Sequence, residues 1–164
     1  TDGGGTPAQG PGPLGEQDGL VPDGVTAFDD RYPAIANLDG DLLAALRAAT
    51  DAATRDGVTL AVTSGWRSQR YQQELLAEAV AQYASAAEAA RWVAPADKSS
   101  HVFGEAVDVG PPAAAAWLER HGAAYGLCRV YGNEPWHFEL RAAAASGRCP
   151  GLYADAAHDP RMQP

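Results

Sequence analysis

The sequence predicts an α+β domain, a small and mainly antiparallel sheet with helices packed on it. Apolar residues recur at helical spacing in four separate stretches, and short apolar strands alternate with them. The length of 164 residues suffices for one domain with a real core, but not for two ordinary ones.

Residues 1–24 are rich in Gly, Pro and Asp and lack apolar periodicity, so they are expected to form a flexible leader or linker. The domain proper is expected to span residues 25–164. Leu42, Leu43, Leu46, Ala49 and Ala53 then mark one face of a helix, with Asp39 or Asp41 as N-cap and Gly57 as its end. Val58 to Thr63 reads as a short strand stopped by Ser64-Gly65. Further helices are expected over Ser68–Tyr83, Ala86–Val93 and Pro112–Tyr125, the last with proline in its first turn. His101 to Val109 reads as extended with a break at Gly104, and Cys128–Tyr131 and Trp136–Leu140 as two more strands. Residues 147–164 carry few apolar groups and read as a tail.

The bulk properties narrow the function. A net charge of −9 argues against nucleic-acid partners, which require clustered cations to displace counterions. No apolar run is long enough to span a membrane, and a monomer is expected. Cys128 and Cys149 are the only cysteines; their separation suits a disulfide closing a loop of roughly 20 residues, and two unpaired thiols are the alternative. A disulfide would tie down the tail and imply an oxidising compartment. No C-x-x-C pair exists to form a zinc knuckle.

The chemistry concentrates in two segments. Ser99 to Asp108 supplies His101 and Asp108, and Glu134-Pro135-Trp136-His137 supplies a second histidine and a second carboxylate. Two histidines and a carboxylate are enough to hold one catalytic zinc with a position left for water, and Glu134 is then available as a base. Asp108 lies between Val107 and Val109, where a carboxylate must be paired or metal-bound to be tolerated. His101 and Asp108 are seven residues apart, which in a regular strand places them on opposite faces, so the chain must turn between them and Gly104 permits it. Pro135 biases Glu134 to extended backbone and is expected to leave it on a loop lip, with His137 pointing inward from the strand beyond. His121 and His158 are expected in solvent. Ser64 and Ser68 lack the Gly-x-Ser-x-Gly elbow of a serine hydrolase.

The strings S-x-H-x-x-G-x-A-x-D (Ser99 to Asp108), E-P-W-H-F (from Glu134) and S-G-W-R-S (from Ser64) resemble the zinc D-Ala-D-Ala carboxypeptidase family. That family includes vancomycin-resistance dipeptidases and the L,D-carboxypeptidases of peptidoglycan. The resemblance covers about residues 55–141 and implies the small α+β fold also found in the zinc-bearing domain of hedgehog proteins. It makes His101, Asp108 and His137 the ligands of one Zn²⁺, Glu134 the catalytic base, and Arg67 a catalytic and substrate-binding cation. It further implies that Ser99 and Gln72 line the substrate pocket, with Trp136 as a wall of the cleft. Two departures stand out. Trp66 replaces a common tyrosine, and the stretch from Tyr125 to Glu134 is short, leaving Tyr131 where it is expected to touch substrate.

The implied activity is zinc-dependent hydrolysis of peptidoglycan stem peptides by a secreted or wall-associated bacterial enzyme, with D-Ala-D-Ala carboxypeptidase first. An L,D-carboxypeptidase or cell-wall endopeptidase is the alternative within the fold. A non-catalytic zinc-bearing wall-binding module is the alternative from another class.

Overall fold

A computed structural model describes residues 12–163. Its elements follow the expected order: helices α1 (Pro33–Ala36) and α2 (Gly40–Arg55), strand β1 (Ala61–Ser64), helices α3 (Gln69–Tyr83) and α4 (Ala86–Ala90), strand β2 (Ala106–Gly110), helix α5 (Pro112–His121), and strands β3 (Leu127–Tyr131) and β4 (Glu134–Leu140). The strands form one sheet in the order β1-β2-β4-β3, antiparallel throughout. This is the α+β architecture that the apolar periodicity predicts.

Capping sets where the helices start. The Asp39 carboxylate accepts from the Leu42 amide at 3.1 Å, so Asp39 rather than Asp41 is the N-cap of α2. Ser68 caps α3 in the same way through the Tyr71 amide. Helix α2 buries Leu42, Leu46, Ala49 and Ala53 against Val107 and Phe138 of the sheet and Leu118 of α5. Each Leu-sized side chain withdrawn from water there contributes about 1.5–3 kcal/mol.

Side chains alternate across a strand, so one face of the sheet is apolar and the other is not. Val107, Val109 and Phe138 enter the core between sheet and helices. Asp108 and His137, directly opposite one another in the β2–β4 register, take the other face. The same alternation that builds the core therefore gathers the polar groups.

Several boundaries differ from the sequence reading. Val58 to Leu60 precede β1 without joining the sheet, because β1 pairs with β2 only from Ala61 onward. The expected helix over Ala86–Val93 stops at Ala90, and the one from Pro112 ends at His121 and continues as a 3-10 turn over Gly122–Tyr125. The expected leader falls partly outside the described residues, but its described part packs on the domain. A 3-10 turn over Glu16–Asp18 buries Asp18, which accepts from the Ser68 hydroxyl at 2.9 Å, while the Ser68 amide donates to the Asp18 carbonyl at 2.8 Å. Val21 also rests on the core. Composition predicted disorder because these contacts are made by polar groups across about fifty residues of sequence.

The segment 101–105 is a turn, not a strand. Gly104 has φ +72°, and a Cβ there would meet the Asn37 carbonyl oxygen at 2.5 Å. Gly104→Ala therefore imposes a left-handed conformation on a residue with a Cβ, costing about 1–2 kcal/mol, and adds a backbone clash. A fall of several degrees in melting temperature is expected, and a melting temperature equal to wild type would show the turn to be unconstrained.

The tail is held by more than the Cys128–Cys149 disulfide, which is formed and contributes about 3 kcal/mol in the chain-entropy account. Tyr153 and Ala154 hydrogen-bond alongside Val130, Gly132 and Asn133, extending the β3 edge. Arg91 donates to the buried Asp155 carboxylate at 2.9 Å.

Candidate metal centre

Three elements deliver three side chains to one point. The β2–β4 pairing sets Asp108 beside His137. The Ser99–Gly104 turn, closed by the Glu105 amide on the Ser100 carbonyl at 2.8 Å, brings His101 over them. One donor atom from each of His101, Asp108 and His137 lies within 4.8 Å of the other two, and all three residues are buried. His101 Nε2 and His137 Nδ1 each stand 3.3 Å from Asp108 Oδ1.

The far nitrogen of each ring is already committed. His101 Nδ1 lies 2.8 Å from the Gly65 carbonyl oxygen, which only accepts, so this nitrogen carries the hydrogen. The carbonyl sits close because Gly65 is packed against the Ala34 backbone, where a Cβ would collide with the carbonyl oxygen. His137 Nε2 lies 2.8 Å from Glu139 Oε2 and donates to it. The facing nitrogens are thereby left as lone-pair donors, in the carboxylate–histidine and carbonyl–histidine arrangements that orient metal ligands.

Asp108 Oδ1 and His137 Nδ1 are buried and make no hydrogen bond. An orphaned buried polar atom costs about 1–3 kcal/mol, so two facing one another mark a place built for a cation. Two imidazole nitrogens and a carboxylate oxygen form a donor set that suits zinc. The electrostatics agree. Burial works against a charge on Asp108, yet His101, His137 and Arg67 together hold its carboxyl well below the usual range. Burial and the Arg67 charge push His101 down, toward a neutral donor. Burial opposes charge on His137 also, but Asp108 and Glu139 outweigh it and raise its pKa, a pull toward positive charge that a cation between the ring and Asp108 would satisfy in place of a proton.

Glu134 lines the same cleft, about 270 Å³ in volume. It lies in β4 rather than on a loop lip, facing Tyr131 across a tight hairpin. The register slips between Arg129 and Tyr131, so β4 carries extra residues at Pro135 and Trp136. This irregular stretch interrupts the strict alternation of the strand, and Glu134 and His137, an odd number apart, both line the cleft. Pro135 is tolerated because β2 pairs with β4 only at residues 137–139. Burial pushes the Glu134 carboxyl up to about 7.

Arg67 is fixed by three bonds: Nε to Ser64 Oγ at 2.9 Å, Nη1 to Gln72 Oε1 at 3.0 Å and Nη2 to Asp108 Oδ2 at 3.1 Å. Gln72 spends both ends of its amide, since Nε2 donates to the Ala94 carbonyl at 2.8 Å. Gln72 therefore positions Arg67 and the Ala94 loop. Ser99 and Trp136 line the cleft, Trp136 as a partly exposed wall. Tyr131 also lines it, but with its ring: the hydroxyl donates to Asp159 Oδ2 at 2.7 Å, and the ring centroid lies 4.9 Å from that of His137. His121 and His158 are exposed and away from the site.

The sequence reading missed Glu139, Asp159 and Arg161. Glu139 had a signal, since it stands two residues after His137 on a strand and so shares its face. The other two had none, because they arrive from the irregular tail.

The D-alanyl-D-alanine carboxypeptidase family model, VanY, matches residues 36–142. A D-alanyl-D-alanine carboxypeptidase of Enterococcus faecalis (strain ATCC 700802 / V583) is 34% identical over a match covering 54% of this chain and 42% of that protein. The chain thus spans less than half the length of this relative. Among solved structures, a mutant of the vancomycin-resistance D,D-pentapeptidase VanY from the VanB-type cassette, in complex with Zn(II), superposes with a TM-score of 0.61 at 31% identity, covering 66% of this chain and 76% of that one. VanYB in complex with D-alanine-D-alanine gives 0.62 at 31%, covering 66% and 75%. The L,D-carboxypeptidase DacB from Streptococcus pneumonia gives 0.54 at 28%, covering 76% and 80%.

Proposed function

Because this chain belongs to the VanY family of D-alanyl-D-alanine carboxypeptidases, we propose that it is a zinc peptidase that removes the terminal D-alanine from peptidoglycan stem peptides ending in D-Ala-D-Ala. The observation that carries this reading is the convergence of His101, Asp108 and His137 on one buried point, with Glu134 in the same cleft. His101, Asp108 and His137 would hold the zinc, which when bound polarises the scissile carbonyl and lowers the pKa of water to about 7.

The chain's own groups do the rest. Glu134 takes the proton of the attacking water and returns it to the departing amine. Arg67 uses three of its five N–H donors to hold its own position. The remaining two, on a guanidinium that is always charged, serve the developing oxyanion or the substrate carboxylate. Ser99 and Trp136 shape the pocket around the leaving residue, and Tyr131 closes one side with its ring.

Glu134 and Arg67 favour an enzyme over a wall-binding module, which has no use for a buried base beside a fixed cation. The disulfide fits an oxidising compartment, so we place the protein outside the cytoplasm, at the cell wall, acting as a monomer. No described helix is long and apolar enough to cross a membrane. A second reading, an L,D-carboxypeptidase, is favoured by the likeness to DacB, which covers more of this chain than VanY does.

Pentapeptide and tetrapeptide stems, assayed side by side with and without a chelator, test both readings. Chelator-sensitive release of D-alanine from the pentapeptide supports the first. Release from the tetrapeptide alone replaces it with the second, and release from neither removes both.

A further inference from the structure

We propose that the C-terminal tail is part of the metal centre: Arg161, anchored on Asp159, clamps Glu139 so that Glu139 holds the metal ligand His137 in place. The tail lies beyond residue 142, where the family match ends. The inference rests on the reading that His101, Asp108 and His137 hold zinc.

Arg161 grips two carboxylates with one guanidinium. Its Nη1 donates to Glu139 Oε1 at 2.8 Å, and Nη2 reaches Glu139 Oε2 at 3.4 Å. On the other side Nη2 donates to Asp159 Oδ2 at 2.7 Å and Nε to Asp159 Oδ1 at 3.1 Å. Glu139 and Asp159 are both almost fully buried, at 2% and 0% exposure. Buried carboxylates need a partner, and Arg161 is the cation that reaches both. Glu139 Oε2 also accepts from His137 Nε2 at 2.8 Å, so the chain of contacts runs unbroken from the tail to the ligand.

A second path converges on the same imidazole. Asp159 accepts the Tyr131 hydroxyl at 2.7 Å, and the Tyr131 ring packs against His137. One contact fixes the direction of the Nε2–H bond and the other fixes the tilt of the ring. His137 Nδ1 is thereby aimed at Asp108 Oδ1, the oxygen that also faces His101. Arg161 is a positioning residue: it touches neither substrate nor reacting atoms, and acts through Glu139.

The tail supplies its own control. Arg91 ties the same segment down through Asp155 at 2.9 Å, with no hydrogen bond to Glu139. Zinc affinity of the full chain, measured by competition with a chromogenic chelator, is compared for wild type, Arg161→Met and Arg91→Met. Melting temperature of the metal-free protein is read alongside. Arg161→Met is expected to weaken zinc binding about 10-fold or more, in the range found for outer partners of metal ligands. Arg91→Met is expected to lower the melting temperature while zinc affinity stays within twofold. Unchanged affinity in Arg161→Met overturns the proposal, and so does an equal loss in both variants, because the tail would then act only on folding. If Arg161→Met does not fold, Arg161→Lys carries the test, since it keeps the charge and loses the fork; a partial loss supports the clamp and none overturns it. A wild-type chain that binds no zinc removes the metal reading itself, whereas wild-type binding with an indifferent Arg161 variant removes only the clamp.

Discussion

His137→Ala is expected to remove zinc binding and peptide hydrolysis together while leaving the domain folded. Partners outside the coordination sphere alone change metal affinity by about 10–100-fold, so deleting a donor should exceed that. Peptide cleavage falls with it, because water activation depends on the bound ion. Survival of the fold follows from the neighbours. Glu139 loses the imidazole but keeps Arg161 at 2.8 and 3.4 Å, so no buried carboxylate is left unpaired. Vacating the imidazole volume costs about 2–5 kcal/mol by analogy with other large-to-small buried changes, and each kcal/mol lowers the melting temperature of a domain this size by about 2–4 °C. Metal content after equilibration in zinc-buffered solution is the measurement. A variant that holds zinc as tightly as wild type would dissolve the proposed ligand set.

The three proposed ligands could be singled out in the sequence for a physical reason. The alternation of Val107, Asp108 and Val109 says that a carboxylate interrupts a core strand, and the position of Gly104 says where the chain turns to bring His101 back. Both hold in the fold, where Gly104 has φ +72° and Asp108 faces His137 across the sheet. Helices were readable because capping and periodicity are local: Asp39 and Ser68 cap α2 and α3 within three residues. Local signals also misled. Pro135 suggested a loop for Glu134, but a proline outside the paired stretch of β2 and β4 breaks no ladder, and the irregular register around Glu134 is one that no single strand reveals. The Gly-rich start and the polar tail lack apolar periodicity, so neither predicts its docking. Asp18, Asp159 and Arg161 are held by ion pairs and hydrogen bonds to distant residues, a kind of contact that leaves no periodic trace.

Glu134→Gln separates an enzyme from a binding module most sharply. The substitution preserves shape and removes the base, so turnover is expected to fall by 10² or more, the usual contribution of a positioned proton acceptor, while zinc affinity changes little. Stability should move the other way. Burial pushes the Glu134 carboxyl up to about 7, so the folded metal-free protein disfavours the charged form. A raised carboxyl pKa means that stability is lost as pH climbs from the ordinary carboxylate range through about 7, and the full penalty of order 1–3 kcal/mol applies above it. Glutamine mimics the neutral acid and escapes that penalty. Metal-free Glu134→Gln should therefore melt higher than wild type at pH 8, and the difference should shrink toward pH 5. A residue kept charged at a cost to the fold is one retained for chemistry. Wild-type turnover in the variant would strip Glu134 of its role as base, and a lower melting temperature at pH 8 would show that its charge serves the fold instead.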